Sequence, residues 1–413
     1  MSIKAEILTI GDEILYGQTL DTNSHWISSE LDQIGIRVVR KSTIPDDKQT
    51  ILNAFAESEN RADITFITGG LGPTNDDLTK PCLAEYFGVG MALNQEALDE
   101  ITELFKRSGR EVTELNHGQA MQPIGSKKVT NTMGTAPGIW MERNNKIFIS
   151  MPGVPHEMKG MMTNEILPAI KERFVKGVIY HKIIRTAGIP ESHLAERIAE
   201  WEAALPTHIK LAYLPSLAQV KLRLTATGDD LKTLESETEV EVQKLLPMIE
   251  KYVFATHNIE LEERIGQLLR EQGKTISCAE SCTGGYLSHL LTTIPGSSDY
   301  FQGSYVAYSY EIKEKALQVD HDILHKKGAV SEEVVIQMAE NIRKVFNTSI
   351  GVSLSGIAGP GGATEDKPVG TVWIAVSDDS GTKAKKFVFS KDRKLNIHLS
   401  AMVALNMVRR LIS

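Results

Sequence analysis

The chain has 413 residues, 41% hydrophobic and 24% charged. That is the balance of a folded globular protein, excludes a disordered chain, and at about 150 residues per domain implies two to three domains. Its 45 basic and 53 acidic residues leave a net charge of −8, so the molecule repels polyanions overall, and direct nucleic-acid binding is not expected. Cys82, Cys278 and Cys282 are too few for a disulfide framework, and Glu6, Asp12 and Glu13 interrupt the N-terminal apolar run; a reducing cytoplasm, with no membrane partner, is the expected setting.

IKAEILTI (3–10) predicts a buried first strand ending at Gly11-Asp12-Glu13. Asp21 to Asn23 then cap a helix running through Leu31 and Ile34. IRVVRKSTI (36–44), a helix from Lys48 to Ala56 and DITFIT (63–68) continue the alternation, which favours a parallel sheet covered by helices. GIWMERNNKIFIS (138–150) predicts a hairpin turning at Asn144-Asn145. From His181 the pattern becomes β-α-β-β-α-β, with an acidic helix over 230–246 whose Glu235, Glu237, Glu239 and Glu241 suggest a solvated negative face. A linker near 256–260 leads to a helix (261–273), the strand TISCAE, strand SYVAYS, helices from Ile312 to Val319 and from Ser331 to Phe346, and strand SIGVSLSGIAG. VGTVWIAVS, KKFVFS and a helix from Leu395 to Leu411 close the chain. The fold class is therefore α/β: two three-layer α/β domains joined by a small α+β domain, over residues 1–172, 173–257 and 258–413.

The strongest chemical signal is Glu280-Ser281-Cys282-Thr283-Gly284-Gly285 at a strand-to-helix junction. Its glycines admit a ligand to the backbone, the helix start offers N–H groups to an oxyanion or phosphate, and Ser281 stands where a nucleophile is presented. The plainer alternative makes Ser281 or Thr283 a helix cap. A serine nucleophile needs a base, and Tyr308 and Lys313 follow the next strand; a desolvated Lys313 serves alone or through Tyr308, while the competing reading is a surface lysine. SGIAGPGG (355–362) leaves a buried strand at the sheet's carboxyl edge, where such sheets bind ligands, but fits no nucleotide fingerprint. Cys278 and Cys282 lack the partners of a metal site, and His117 and His156 read as hydrogen-bonded structural residues.

The motifs AESCTGG, VAYS…K, GAVS, SGIAGPGG and KPVGTVW closely resemble the C-terminal domain of the CinA (competence/damage-inducible) family. That resemblance implies a nicotinamide-nucleotide amidohydrolase, converting nicotinamide mononucleotide to nicotinate mononucleotide and ammonia without a cofactor. The family's serine, tyrosine and lysine fall on Ser281, Tyr308 and Lys313. Thr283, Gly284, Gly285, Gly356, Gly359 and Gly361 are then expected to bind substrate, and Tyr310 stands where the family usually has asparagine.

GDE (11–13), DTNS (21–24), PDD (45–47), TGGLGPTNDDLT (68–79) and MPGVPHEM (151–158) resemble the molybdopterin-binding fold as it occurs in CinA proteins. Asp77 keeps that fold's aspartate, but Asp76 replaces its arginine, which argues against pterin chemistry and suits a divalent cation bridging to a pyrophosphate. The resemblance implies ADP-ribose pyrophosphatase activity, with Asp77 catalytic, Asp46, Asp76 and Asp77 on a divalent cation, potassium as a candidate companion, and Asp12, Asn23, Gly69, Gly70, Gly72 and Thr74 on the substrate. The alternatives are a nucleotide- or pterin-binding module, with these aspartates serving as caps and turns, or a competence or repair scaffold. The middle segment resembles a KH-like unit but lacks a GxxG loop, so RNA clamping is not expected. It is expected to be a spacer. Its strand QVKLRLT, with Val220, Leu222 and Leu224 on one face, offers an edge that a twofold partner covers; a homodimer follows, as the resemblance also suggests.

Overall fold

The computed structural model describes residues 3–74, 76–107, 113–174 and 177–413; Asn75 of the first glycine loop lies outside them. The chain divides into two compact units, residues 1–179 with 228–231, and residues 180–227 with 232–413.

In the first unit, strands β1 (Lys4–Ile10), β2 (Arg37–Ile44) and β3 (Ile64–Thr68) are followed by a ribbon of β4 (Met91–Leu93) and β5 (Met121–Pro123), then by β6 (Lys127–Val129), β7 (Gly138–Arg143) and β8 (Lys146–Met151). The main sheet has the order β2-β1-β3-β8-β7-β6, parallel across its first four strands and antiparallel in the last two. Side-chain alternation accounts for its two covered faces. Ala5, Ile7, Ile64 and Phe66 pack with Ile27 and Leu31 on one side, and Leu8, Ile10 and Ile67 with Ile51, Phe55 and Leu83 on the other. Asn144 and Asn145 have φ of 53° and 62°, the left-handed pair that a two-residue hairpin of this twist requires.

The second unit holds the predicted β-α-β-β-α-β pattern as β9 (Val178–Ala187), β10 (Ile209–Ser216), β11 (Gln219–Gly228) and β12 (Val253–Ala255), with helices Glu191–Ala203 and Leu231–Ile249. Two expectations need correction. The sheet order is β10-β11-β9-β12, so β11, which carries Val220, Leu222 and Leu224, is interior rather than an edge in need of a partner. The segment is also no detached spacer: Ala187, Phe254 and Ala255 share one core with Leu261, Ile265 and Leu405 of the last domain. Buried Arg409 donates to the carbonyls of Val253 at 3.2 Å and Lys251 at 2.9 Å, and Arg185 pairs with Glu260. On the acidic helix Glu241 is buried with Lys244 at 2.7 Å, so its negative face is narrower than the sequence suggests.

The last domain is built on β13 (Ile276–Glu280), β14 (Phe301–Val306), β15 (Ile350–Gly356), β16 (Thr371–Asp378) and β17 (Gly381–Val388), in the order β14-β13-β15-β16-β17. The first three are parallel and the last two antiparallel. Strand β14 ends at Val306, and the next helix spans only Tyr310–Lys315, because Gln318 at φ 50° breaks it; a further helix, His321–Lys327, which no sequence signal announced, follows. No helix among the described residues is long and apolar enough to cross a membrane.

Candidate functional site

The carboxyl ends of β13, β14 and β15 bring together the residues that the last domain's motifs single out. Ser281 immediately follows β13, and its N–H donates to the Leu354 carbonyl on β15 at 3.0 Å, fixing its backbone. Lys313 is 1% exposed, and its Nζ lies 3.0 Å from Ser281 Oγ. The same Nζ donates to the Ala307 carbonyl at 2.5 Å and to the Tyr308 carbonyl at 3.3 Å. These contacts explain why β14 stops early: residues 307–309 peel off and turn two carbonyls toward the lysine. Burial pushes the Lys313 amine down to about 8. A neutral amine has two N–H donors and one lone pair, and its surroundings supply two carbonyls and one hydroxyl. The ammonium donates to all three oxygens, and the neutral amine donates to the two carbonyls while accepting the Ser281 O–H, so both protonation states are satisfied here.

Tyr308 is placed differently from a proton relay. Its ring is 60% exposed, and its hydroxyl receives a hydrogen bond from Arg393 Nη2 at 3.2 Å; only its carbonyl touches Lys313. Arg393, which sequence reasoning missed, also donates from Nη1 to the Gly359 carbonyl at 2.8 Å. A guanidinium is thereby fixed between Tyr308 and the glycine loop. Asn396 holds that loop from the same helix through the Ala358 carbonyl at 3.0 Å. Gly356 is needed for close approach, since a Cβ there would meet Val372 Cγ2 at 2.5 Å; at Gly361 the space is open. Tyr310 accepts from the Ala329 N–H at 3.2 Å and lies edge-on to His325.

The expected use of the helix-start amides also needs correction. Fully buried Glu280 accepts from the N–H groups of Gly285 at 3.1 Å, Leu287 at 3.0 Å and Ser288 at 2.8 Å, and from the Ser288 hydroxyl at 2.6 Å. A carboxylate satisfies these donors better than a transient ligand does. The Gly284 N–H is likewise taken, by the Ser281 carbonyl at 3.1 Å. Beside the serine, the amides of Cys282 and Thr283 have no backbone acceptor among the described residues. Thr283 Oγ1 is buried with no hydrogen-bond partner. Burial pushes the Cys282 thiol up to about 12, which removes it as a competing nucleophile.

In the first unit, the loop after β3 opens a cleft of about 560 Å³ lined by Asp12's neighbours Gly11 and Glu13, by Asn23, Asp46 and Asp76, and by the glycine loop. Gly69 and Gly70 have φ of 107° and 66°, and a Cβ on Gly69 would strike the Ile10 carbonyl at 2.1 Å. Asn23 donates to Thr68 Oγ1 at 2.9 Å and to the Gly153 carbonyl at 2.8 Å, leaving its own Oδ1 buried without a partner. Asp46 accepts from the Asp12 N–H at 3.1 Å; burial raises its carboxyl above the usual range, against that bond, and the nearby charges of Asp12, Glu13 and Asp76 raise it further.

Asp77 does not join this group as a free carboxylate. It accepts from the N–H groups of Gly72 at 2.8 Å and Thr74 at 2.9 Å and from the Thr74 hydroxyl, bracing the loop. Among the described residues, Asp46, Asp76 and Asp77 do not gather three ligand oxygens within 4.8 Å of one another. Asp12, Asp46 and Asp76 do not gather three ligand oxygens within that distance either; the crowding of negative charge that raises Asp46 is the feature a cation would relieve, whereas the oxygens of Asp77 are occupied by the loop. Lys80, also missed by sequence reasoning, is buried, donates to the Gln119 carbonyl at 2.8 Å and is pushed down to about 8 by burial. Its one signal was a lysine in the first turn after the glycine loop.

Comparison with known proteins matches residues 6–172 to the probable molybdopterin binding domain family, 181–255 to the damage-inducible protein CinA KH domain, and 258–412 to the CinA C-terminal domain. The chain is 51% identical over 408 residues to a CinA-like protein of Cytophaga hutchinsonii, covering 99% of this chain and 98% of that one. It is 43% identical over 411 residues to a CinA-like protein of Flavobacterium psychrophilum, covering 98% of each. Among solved structures, CinA from Thermoplasma acidophilum is similar at 31% identity and a TM-score of 0.38, over 42% of this chain and 99% of that one. With similarity along its whole length, the chain belongs to the CinA-like protein family.

Proposed function

We propose that the last domain deamidates nicotinamide mononucleotide to nicotinate mononucleotide and ammonia. The observation that carries this reading is the buried Lys313 amine, pushed down to about 8, at 3.0 Å from Ser281 Oγ. Ser281 Oγ attacks the carboxamide carbon as its proton passes to Lys313 Nζ, and the oxyanion forms against the Cys282 and Thr283 amides and the Thr283 hydroxyl. Lys313 returns the proton to the leaving nitrogen, and ammonia departs. A water deprotonated by Lys313 then cleaves the acyl-Ser281 ester, releasing the carboxylate and restoring the serine. The pyridinium charge makes this carboxamide a better electrophile than an ordinary amide. Arg393, held between Tyr308 and the glycine loop, supplies the cation for the nucleotide phosphate. Tyr308 is a binding group in this reading.

The test is ammonia release from nicotinamide mononucleotide by the purified chain. Full activity is expected after chelation, and loss of at least about a hundredfold in Ser281→Ala. Wild-type rates in that variant remove the serine from the reaction.

For the first unit the proposal is hydrolysis of ADP-ribose to AMP and ribose 5-phosphate. Asp46 and Asp76, with the charge of Asp12 beside them, would hold a divalent cation, which would supply charge neutralisation at the pyrophosphate. Gly69, Gly70 and Gly72 let the phosphates reach the backbone, Asn23 offers its free oxygen to a substrate hydroxyl, and Asp77 keeps the loop in shape. Turnover across magnesium, manganese and cobalt, with and without potassium, tests this; nucleotide binding without turnover in any metal makes the unit a binding module. A scaffold in DNA uptake or repair predicts tight DNA binding at physiological salt, which the net charge of −8 disfavours.

A further inference from the structure

We infer that the last domain carries a zinc site formed by Glu314, His321 and His325. Glu314 Oε1 lies 2.9 Å from His321 Nδ1 and 3.2 Å from His325 Nε2. One ligand atom from each of the three residues falls within 4.8 Å of the other two. With metal–ligand bonds of about 2.0–2.1 Å, the ligand atoms of a tetrahedral zinc stand about 3.3 Å apart. The two carboxylate–imidazole spacings are close to that edge length, and the imidazole–imidazole spacing lies within 4.8 Å, so side-chain rotations admit the ion.

The sequence pattern supplies the chelate. His321 and His325 are four residues apart on one helix and share a face, with ring centroids 4.2 Å apart. The carboxylate comes from the preceding helix, folded back at Gln318. That fold is held from inside: Leu317, Val319 and Leu324 are buried, Asn341 Nδ2 donates to the Leu317 carbonyl at 2.7 Å, and Asp320 accepts from the Ile323 N–H at 2.9 Å. Tyr310 packs against the far imidazole, its ring centroid 5.4 Å from that of His325. The backbone that carries the ligands is therefore set by packing, while the two histidine side chains stand at the surface.

Competing cations are engaged elsewhere. Lys315 pairs with Glu311, Lys326 with Asp322 and Lys327 with Glu333, so among the described residues Glu314 has no lysine or arginine partner. Two imidazole nitrogens and one carboxylate oxygen select zinc over magnesium, which demands oxygen donors. The histidines are exposed, which gives the ion an entry path and leaves its fourth position to water.

The experiment is equilibrium dialysis of the full chain against zinc chloride, with wild type, H321A/H325A and E314Q compared. Wild type is expected to hold one more zinc per chain than the double variant, and its melting temperature to rise with zinc where the double variant's does not. E314Q is expected to bind at least about tenfold more weakly, and millimolar magnesium to leave the bound zinc in place. Equal metal-free urea midpoints for wild type and the double variant show that lost binding is not lost folding; should the double variant unfold, E314Q carries the same comparison. The same zinc count in wild type and double variant, or displacement by magnesium, overturns the assignment. None of these readouts is catalytic, so a negative result leaves the amidohydrolase reading untouched.

Discussion

Lys313 makes the sharpest prediction because, in the proposed reaction, its protonation state is the switch. At a value of about 8, the neutral fraction is ~1% at pH 6, ~10% at pH 7 and ~90% at pH 9. A lysine at the ordinary 10.5 is only about 0.03% neutral at pH 7, so burial raises the active form some 300-fold there, in order of magnitude. Ammonia release per enzyme, followed from pH 6 to 9.5 with nicotinamide mononucleotide well below saturation, is expected to climb about tenfold per unit below pH 7 and level off near pH 9. Lys313→Arg keeps a cation but cannot accept the serine proton, so its rate is expected to drop by about 10²–10⁴ with no recovery up to pH 9.5. A flat profile, or Lys313→Arg above a tenth of the wild-type rate, refutes the assignment of this amine as base. Stability carries the same signature with its own sign. Because the folded-state value lies below the unfolded one, the unfolded chain binds more protons between pH ~8 and ~10.5, and this group's contribution to stability rises with pH across that window, by up to about 3 kcal/mol.

Thr283→Val keeps the shape but removes the unpartnered hydroxyl; kcat is expected to fall about 10–100-fold with KM and urea midpoint little changed, and an unchanged kcat excludes this hydroxyl from the oxyanion site. Glu280→Gln turns an amide donor toward three backbone donors, and a loss of about 1–3 kcal/mol in urea unfolding is expected, with equal stability speaking against the buried bracket. In the first unit the two neighbouring aspartates should separate: Asp77→Ala lowers the melting temperature and nucleotide affinity together, whereas Asp76→Ala lowers turnover of ADP-ribose at unchanged stability, and the reverse pattern overturns both assignments. Light scattering is expected to give twice 45.6 kDa; a monomer mass across micromolar concentrations ends the homodimer proposal, whose edge-strand support is already gone.

Much of the candidate site's geometry was legible because local rules and tertiary context agree. A buried strand, a serine and two glycines before a helix predict a presented hydroxyl, and one residue of spacing decides whether Lys313 points inward. What escaped the sequence depends on which donor meets which acceptor. Glu280 reads as an ordinary strand end until three amides converge on it, and Tyr308 contributes a carbonyl where a phenol was expected. Asp77 looks as free as Asp76 until the loop folds around it. Strand β11 has the alternation of any half-buried strand, and nothing local distinguishes an interior place from an edge. Arg393 lies 85 residues from Tyr308, at a helix start with no pattern of its own.

The guanidinium of Arg409 has a bearing on how this protein can be dissected. Its partners Lys251 and Val253 lie on the far side of the 258 boundary drawn from the sequence, and Phe254 and Ala255 sit in the core that Leu405 completes. Cutting at 258 strands a cation beneath the final helix and opens a greasy scar beside it, so a fragment that begins there is expected to aggregate or melt early even with every catalytic group in place. Cutting near 180 keeps the middle segment and that core on one fragment. The middle segment and the last domain are thus expected to unfold together, as one block set by a shared core rather than by motif boundaries.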